Sequence, residues 1–286
     1  DGTPVLLPFG DSEIFVSRAD FALRSVQGDS DSWSGSLLID GFDHVDLKVK
    51  RMQLDGSGRI GRTPAGNSVG GTLTLAASGL LPTDPALARA LGSDLSGRIR
   101  MHMLEGSGKL RLSDIELTGA GLSGKGAVEI KGLDEAFLTS GQVSVVAQDF
   151  SRFSGLVGRQ LGGSGTLRIK GSASRLSGFF DTDLVFEGTG LRLDIPEADR
   201  LLAGRSTLTA SIRRDEGGTA LRSFDLAAGG LVAKGSGTLS STRSDLTGSV
   251  SLADLAALGP QYSGALDLAG RFTGAPDDGR LQLTGS

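Results

Sequence analysis

The chain of 286 residues has no cysteine, one tryptophan (Trp33), one tyrosine (Tyr262), one asparagine (Asn67) and two histidines, His44 and His102. Without cysteine there is no disulfide, thiolate metal site or cysteine nucleophile. The compartment stays open, because oxidising spaces permit disulfides without requiring them. Apolar runs such as Leu226–Ala233 fall far short of the roughly 18 residues a helix needs to cross a bilayer. The charge is mild, 29 Lys+Arg against 33 Asp+Glu for a net −4, with no basic block and only 5% aromatics. Nucleic-acid binding needs a positive footprint or stacking platforms, so nucleic acid is excluded as a partner.

What the chain has in excess is glycine, 45 residues where about 7% is usual. The glycines follow no three-residue period, which excludes collagen. Counted with the 38% hydrophobic residues, they bring the apolar share to a level that can build a core. The chain opens on Asp1 with no signal peptide, and Leu281–Ser286 stops inside a strand pattern, so it is expected to be a piece of a longer protein.

Apolar and polar residues alternate in short runs, among them Leu73-Thr74-Leu75, Leu110-Arg111-Leu112, Ile115-Glu116-Leu117, Val128-Glu129-Ile130, Leu167-Arg168-Ile169, Leu191-Arg192-Leu193 and Leu266-Asp267-Leu268. Period two predicts half-buried strands. Gly-Ser-Gly, Gly-Ala-Gly and Gly-Thr-Gly between the runs are expected to form tight turns or kinks, making consecutive strands antiparallel neighbours. The apolar parity flips at Ser113-Asp114, where a bulge is needed to keep one face apolar. Four segments break the alternation as short helices near 85–91, 149–161, 196–203 and 254–258, with Asp84 and Pro85 opening the first. The fold class is therefore all-β, an elongated, mostly antiparallel curved sheet of about 20 strands of five to six residues. The whole chain, 1–286, reads as one continuous array. One face is apolar and the helices are too few to cover it, so the sheet folds lengthwise into a groove. Whether the groove is packed shut by aliphatic side chains or gapes around an apolar guest stays open at this level.

Motifs of chemistry are weak. Gly119-Ala120-Gly121-Leu122-Ser123-Gly124 matches a dinucleotide fingerprint, but Ala127–Ile130 continues as a strand where a helix N-terminus is required. His44 sits in Asp43-His44-Val45-Asp46 without the partners of a triad or metal site, and His102 alternates with Met101 and Met103 on a polar strand face. Asp29 and Asp31 lack the Gly and Glu of a calcium loop, and the pairs Asp277-Asp278 and Glu197/Asp199 suit solvated loops or helix starts. No catalytic residue, metal site or cofactor is assigned, and the chain is expected not to be an enzyme.

The segment Ser263-Gly264-Ala265-Leu266-Asp267-Leu268-Ala269-Gly270-Arg271-Phe272-Thr273-Gly274-Ala275-Pro276 resembles the S-G-x-L-x-L-x-G-x-x-T-G-x-P element of the TamB family, within the wider AsmA-like proteins. Asp84–Leu91 and Leu161–Leu167 are similar to that family's inter-strand helices and strand restarts. The likeness runs as a style of repeat from about residue 70, departing from the pattern at Asp277-Asp278-Gly279. It implies a periplasmic protein anchored in the bacterial inner membrane by a part absent here, with a taco-shaped β-groove carrying phospholipid between the inner and outer membranes. It also implies an outer-membrane barrel partner of the translocation and assembly module, with a role in outer-membrane protein assembly. The residues expected to line a lipid groove are Leu110, Leu112, Leu117, Val128, Ile130, Leu167, Ile169, Leu184, Phe186, Leu193, Leu208, Leu266 and Leu268. The alternative reading is a scaffold or chaperone that accepts an incoming β-strand at an exposed edge.

Overall fold

A computed structural model describes residues 5–9, 12–28, 31–63, 66–132, 137–174, 176–240, 243–275 and 278–286. Within them lie seventeen strands: β1 (Val5–Phe9), β2 (Ser12–Val26), β3 (Asp31–His44), β4 (Leu47–Thr63), β5 (Gly66–Pro82), β6 (Asp94–Leu104), β7 (Lys109–Gly119), β8 (Leu122–Lys131), β9 (Leu138–Ala147), β10 (Gly162–Ser174), β11 (Phe180–Arg192), β12 (Arg205–Asp215), β13 (Gly218–Ala228), β14 (Leu231–Leu239), β15 (Ser244–Leu252), β16 (Leu266–Ala275) and β17 (Asp278–Gly285). The helices are α1 (Pro85–Leu91), α2 (Ser154–Val157) and α3 (Pro196–Leu202), with single 3-10 turns at Phe150–Phe153 and Leu255–Ala257. The chain is all-β, as the alternation predicts. Among the described residues no helix is long and apolar enough to cross a membrane.

Two compact units divide the chain. The first holds β1–β8, α1 and Arg152–Gly158, and the second holds β9–β17 and α3. In the first, each strand pairs antiparallel with the next from β1 to β8. In the second the same meander runs from β9 to β17. Neither sheet closes into a barrel: among the described residues no ladder joins β1 to β8 or β9 to β17.

The strands are fewer and longer than expected, up to 17 residues in β4 and β5. The reason lies in the glycine motifs. Gly119-Ala120-Gly121 makes a turn, but Gly56-Ser57-Gly58 lies inside β4, Gly163-Ser164-Gly165 inside β10 and Gly188-Thr189-Gly190 inside β11. Pairing runs unbroken through Gly56-Ser57-Gly58, since a missing side chain leaves the ladder hydrogen bonds intact, whereas the β10–β11 register slips at Gly163 opposite Gly190-Leu191 without ending either strand.

The expected bulge is present. Register slips between Leu112 and Ile115 against β8, with Asp114 at φ 48° and its carboxylate 2.8 Å from Arg100. A second parity switch, not anticipated, crosses the first unit as a line. Gly41 (φ 67°) and Gly79 (φ 64°) sit on either side of Lys50, and a Cβ on Gly79 would collide with that of Lys50 at 2.5 Å. On one side of this crease Ile39, Met52 and Ala77 share a face; beyond it Phe42, Val49 and Leu80 take over. Only glycine adopts such a backbone cheaply, so the crease keeps the apolar face continuous through a frame shift. Val16 and Val49, beyond it, are among the most buried side chains.

The helices form as their local chemistry dictates. The Asp84 carboxylate accepts from the amides of Ala86 and Leu87, Pro85 opens α1, and Gly92 follows it with φ 76°. The segment expected as a helix over 149–161 is shorter: the Asp149 carboxylate accepts from the Ser151 amide, and helical structure ends at Val157 before Gly158 at φ 70°. Glu197 and Asp199 occupy the first turn of α3, and Asp254 accepts from the Ala256 amide.

Candidate functional site: the apolar face

Directly paired residues in an antiparallel ladder project to the same side of the sheet, so the registers decide which residues share a surface. In the first unit, Leu110 faces Ile130 and Leu112 faces Val128, while Leu117, past the bulge, returns to the same side opposite Gly124. Met103 and Met101 on β6 join Leu110 and Leu112, and the row continues through Val69 and Gly71 on β5. In the second unit, Leu167 pairs with Val145 and Phe186, Ile169 with Val143 and Leu184, and Phe186 with Leu208. Leu266 and Leu268 pair with Leu252 and Val250 on the corresponding side of β15. Leu193 is the exception: β11 ends at Arg192, and the Leu193 amide donates to Asp199 at 2.6 Å in the approach to α3. It does not belong to the strand surface, because its alternation with Leu191 ends where the chain leaves the ladder.

The opposite face is polar and charged. Arg111 faces Glu129 at 3.0 Å, Arg168 and Arg205 flank Glu187 at 2.8 and 3.1 Å, and Arg271 grips Asp245 through two nitrogens at 3.0 and 2.7 Å. The Glu187 carboxyl is held below its ordinary range chiefly by the hydrogen bond from Arg168, and Asp245 chiefly by that from Arg271. Glu129 is lowered first by Lys131 and then by Arg111. His102 lies on this face opposite Arg111, and the His44 Nδ1 accepts from the Asp46 amide at 3.3 Å. Asp31 pairs with Arg62 at 3.1 Å; Asp29 and Asp277 lie outside the described residues. Ala120-Gly121 is a tight turn between β7 and β8, and Leu122–Gly124 already belong to β8, so no helix N-terminus stands there. Among the described residues no three potential ligands cluster for a metal ion.

The apolar face is incompletely covered. Apart from Ala210 in the middle of β12, the buried apolar positions of the strands lie towards one strand margin of each unit. In the second, Leu191, Leu201, Ala228 and Leu252 are buried at the margin on which α3 packs against β11. Away from that margin, Ile169, Val250 and Leu268 remain 37–38% exposed, and Phe21 and Leu23 on β2 reach 71% and 66%. Sequence reasoning missed several members of this surface. Trp33 faces Gly58 and donates to the Gly70 carbonyl at 3.3 Å, lying over Gly56 and Gly71. Phe224 was hidden by a second bulge, at Arg222-Ser223, after which the parity of β13 changes; the step from Leu221 to Phe224 was its signal.

Scans against protein-family models, curated proteins and solved structures return no match to this chain.

Proposed function

We propose that this chain is a non-catalytic lipid carrier, a segment of a TamB-like, bridge-like envelope protein whose apolar face passes phospholipid acyl chains between the inner and outer membranes. The proposal places it in the periplasm, in a parent anchored in the inner membrane and working with an outer-membrane barrel. The observation that carries the reading is a one-sided surface: aliphatic residues fill one face of each sheet and stay partly open to solvent, while ion pairs occupy the other. A tail of about 14 methylenes gains roughly 11 kcal/mol on leaving water and almost nothing on passing from a bilayer to an equally apolar surface. Such a surface moves lipid along a flat free-energy profile with no chemistry of its own.

Photo-crosslinking side chains at Leu112, Ile130, Ile169 and Leu208 should capture phospholipid, and the same groups at Arg111, Glu129 and Arg168 should not. Equal labelling of both sets would remove the reading.

A second reading, strand acceptance during outer-membrane protein assembly, is favoured by β2. The register of β1 covers only Ser12–Val16, so among the described residues the β2 edge from Ser17 to Val26 is paired on the β3 side alone. Isotope-edited infrared spectroscopy with a labelled β-signal peptide tests it, a new antiparallel cross-strand band being the expected result.

A further inference from the structure

The apolar face of the second unit carries a hollow. Across β13–β17 the ladders stack Phe224, Gly235, Gly248, Gly270 and Leu283 into one row running from strand to strand. Val250 and Leu268 stand in the row on one side, Leu246 and Phe272 in the row on the other. The depression is open on its solvent side and holds about 470 Å³, within the range of small-molecule sites.

The backbone does not demand glycine at position 235, at the centre of this hollow. Gly235 and Gly248 are not in the left-handed region. A Cβ on Gly235 would meet nothing nearer than the Thr247 carbonyl oxygen at 3.5 Å; one on Gly248 would press on the Lys234 carbonyl oxygen at 3.1 Å, a close contact that β14 would have to relieve by a few tenths of an ångström. Glycine weakens a strand interior, so Gly235 costs stability that folding does not explain. What it provides, with Gly248 beside it, is empty volume on an apolar floor.

The chemistry of the hollow restricts its occupant. β14, β15 and β16 are each paired on both sides, so their ladders leave few backbone groups to offer, and the walls are hydrocarbon. The rows two residues to either side lie about 14 Å apart, backbone to backbone, before Val250, Leu268, Leu246 and Phe272 take up part of that width. A helix is about 10–12 Å across with its side chains and does not fit between them, and a strand adds at an edge rather than on a face. We propose that this hollow seats a single alkyl chain lying across the strands, and that Phe224 sets the chain's length.

The seat rests on the lipid-carrier reading above and adds a discrete position and a length limit to it. Leu283, leaning to within 2.9 Å of a Cβ built on Gly270, closes one end, and Phe224 closes the other. The row would otherwise continue onto Ala210, which faces Phe224 on β12. Phe224 owes its position to the bulge. Leu221 and Phe224 both point inward because Arg222-Ser223 takes up the extra residue, and the Arg222 guanidinium, reaching back over β12, donates to Ser211 Oγ at 2.8 Å and to the Asp181 carboxylate.

The test uses the whole chain with a photo-crosslinker at Leu268, beside the hollow, or at Ile169, elsewhere on the same face, and a series of fatty acids from decanoic to docosanoic acid. The unaltered chain should be labelled at both positions. Gly235→Val should cut capture at Leu268 at least fivefold while leaving Ile169 within twofold, and Phe224→Ala should move the preferred fatty acid to a longer one. If Gly235→Val does not fold, Gly235→Ala takes its place with an expected loss of about twofold. Unchanged capture at Leu268 in the glycine variant, an unchanged length preference in Phe224→Ala, or labelling of Ile169 without Leu268 in the unaltered chain overturns the seat and leaves the carrier reading standing. Labelling at neither position defeats the carrier reading itself.

Discussion

The two units differ in how fully they cover the glycines of their apolar faces. In the first, Gly56, Gly58 and Gly71 lie beneath Trp33, and a Cβ on Gly56 would meet the indole ring at 2.8 Å. The second also covers glycines, setting Gly165 under Phe186 and Gly270 under Leu283, where a Cβ would come within 2.8 and 2.9 Å of the side chain, but over Gly235 and Gly248 it places no side chain. A glycine that makes room for a ring is explained by packing. A glycine that makes room for nothing in the chain requires another account, and the difference separates a filled floor from a vacant one.

The sharpest way to break this comparison is Gly58→Ala. Its Cβ would be driven against the Gly70 carbonyl oxygen and come within 2.7 Å of Trp33 Nε1, so the first unit should lose about 3 kcal/mol in urea denaturation. Trp33→Ala follows, with a loss of about 2–3 kcal/mol, below the full cost of a core tryptophan because the ring is only half-buried. It should also expose a new hollow, read as increased binding of an environment-sensitive apolar dye. Gly235→Ala should go the other way and raise stability by about 0.5–1 kcal/mol, since the backbone accepts a Cβ there and the unfolded chain loses freedom. A loss on that substitution would show that the floor is packed and the comparison false.

The smallest expected effect concerns the charged face. Glu187 and Asp245 have carboxyls depressed by arginine partners in the folded state. Their contribution is therefore complete above the ordinary carboxylate range and is lost as pH falls through the lower folded values. Both groups are exposed and screened, so the melting temperature should drop only slightly more steeply with acid than in Glu187→Gln. Identical acid profiles for the two proteins would remove these pairs from the stability of the sheet.

Much of the fold was legible because alternation has only one structural meaning. Leu110-Arg111-Leu112 and Leu167-Arg168-Ile169 declare a two-sided strand wherever they stand, and the flip at Ser113-Asp114 required a bulge for the same reason. The crease at Gly41 and Gly79 was not legible. A parity change there becomes visible only when three neighbouring strands shift frame on one line, and single-strand patterns do not reveal which residues will be neighbours. Leu193 failed for a related reason, since its run continues past the last rung that β12 supplies. The glycine motifs misled because Gly-Ser-Gly serves equally as a turn or as an inward hollow, and only the partner strand decides.

By itself the sequence determined that the chain makes antiparallel sheets with one apolar and one charged face, because side-chain direction alternates with every residue whatever the tertiary context. Tertiary structure alone decided where glycines meet across strands, which of them lie under Trp33 or Phe186, and which row stays vacant before Phe224. Those are properties of register, and register is set by pairs of residues far apart in the chain.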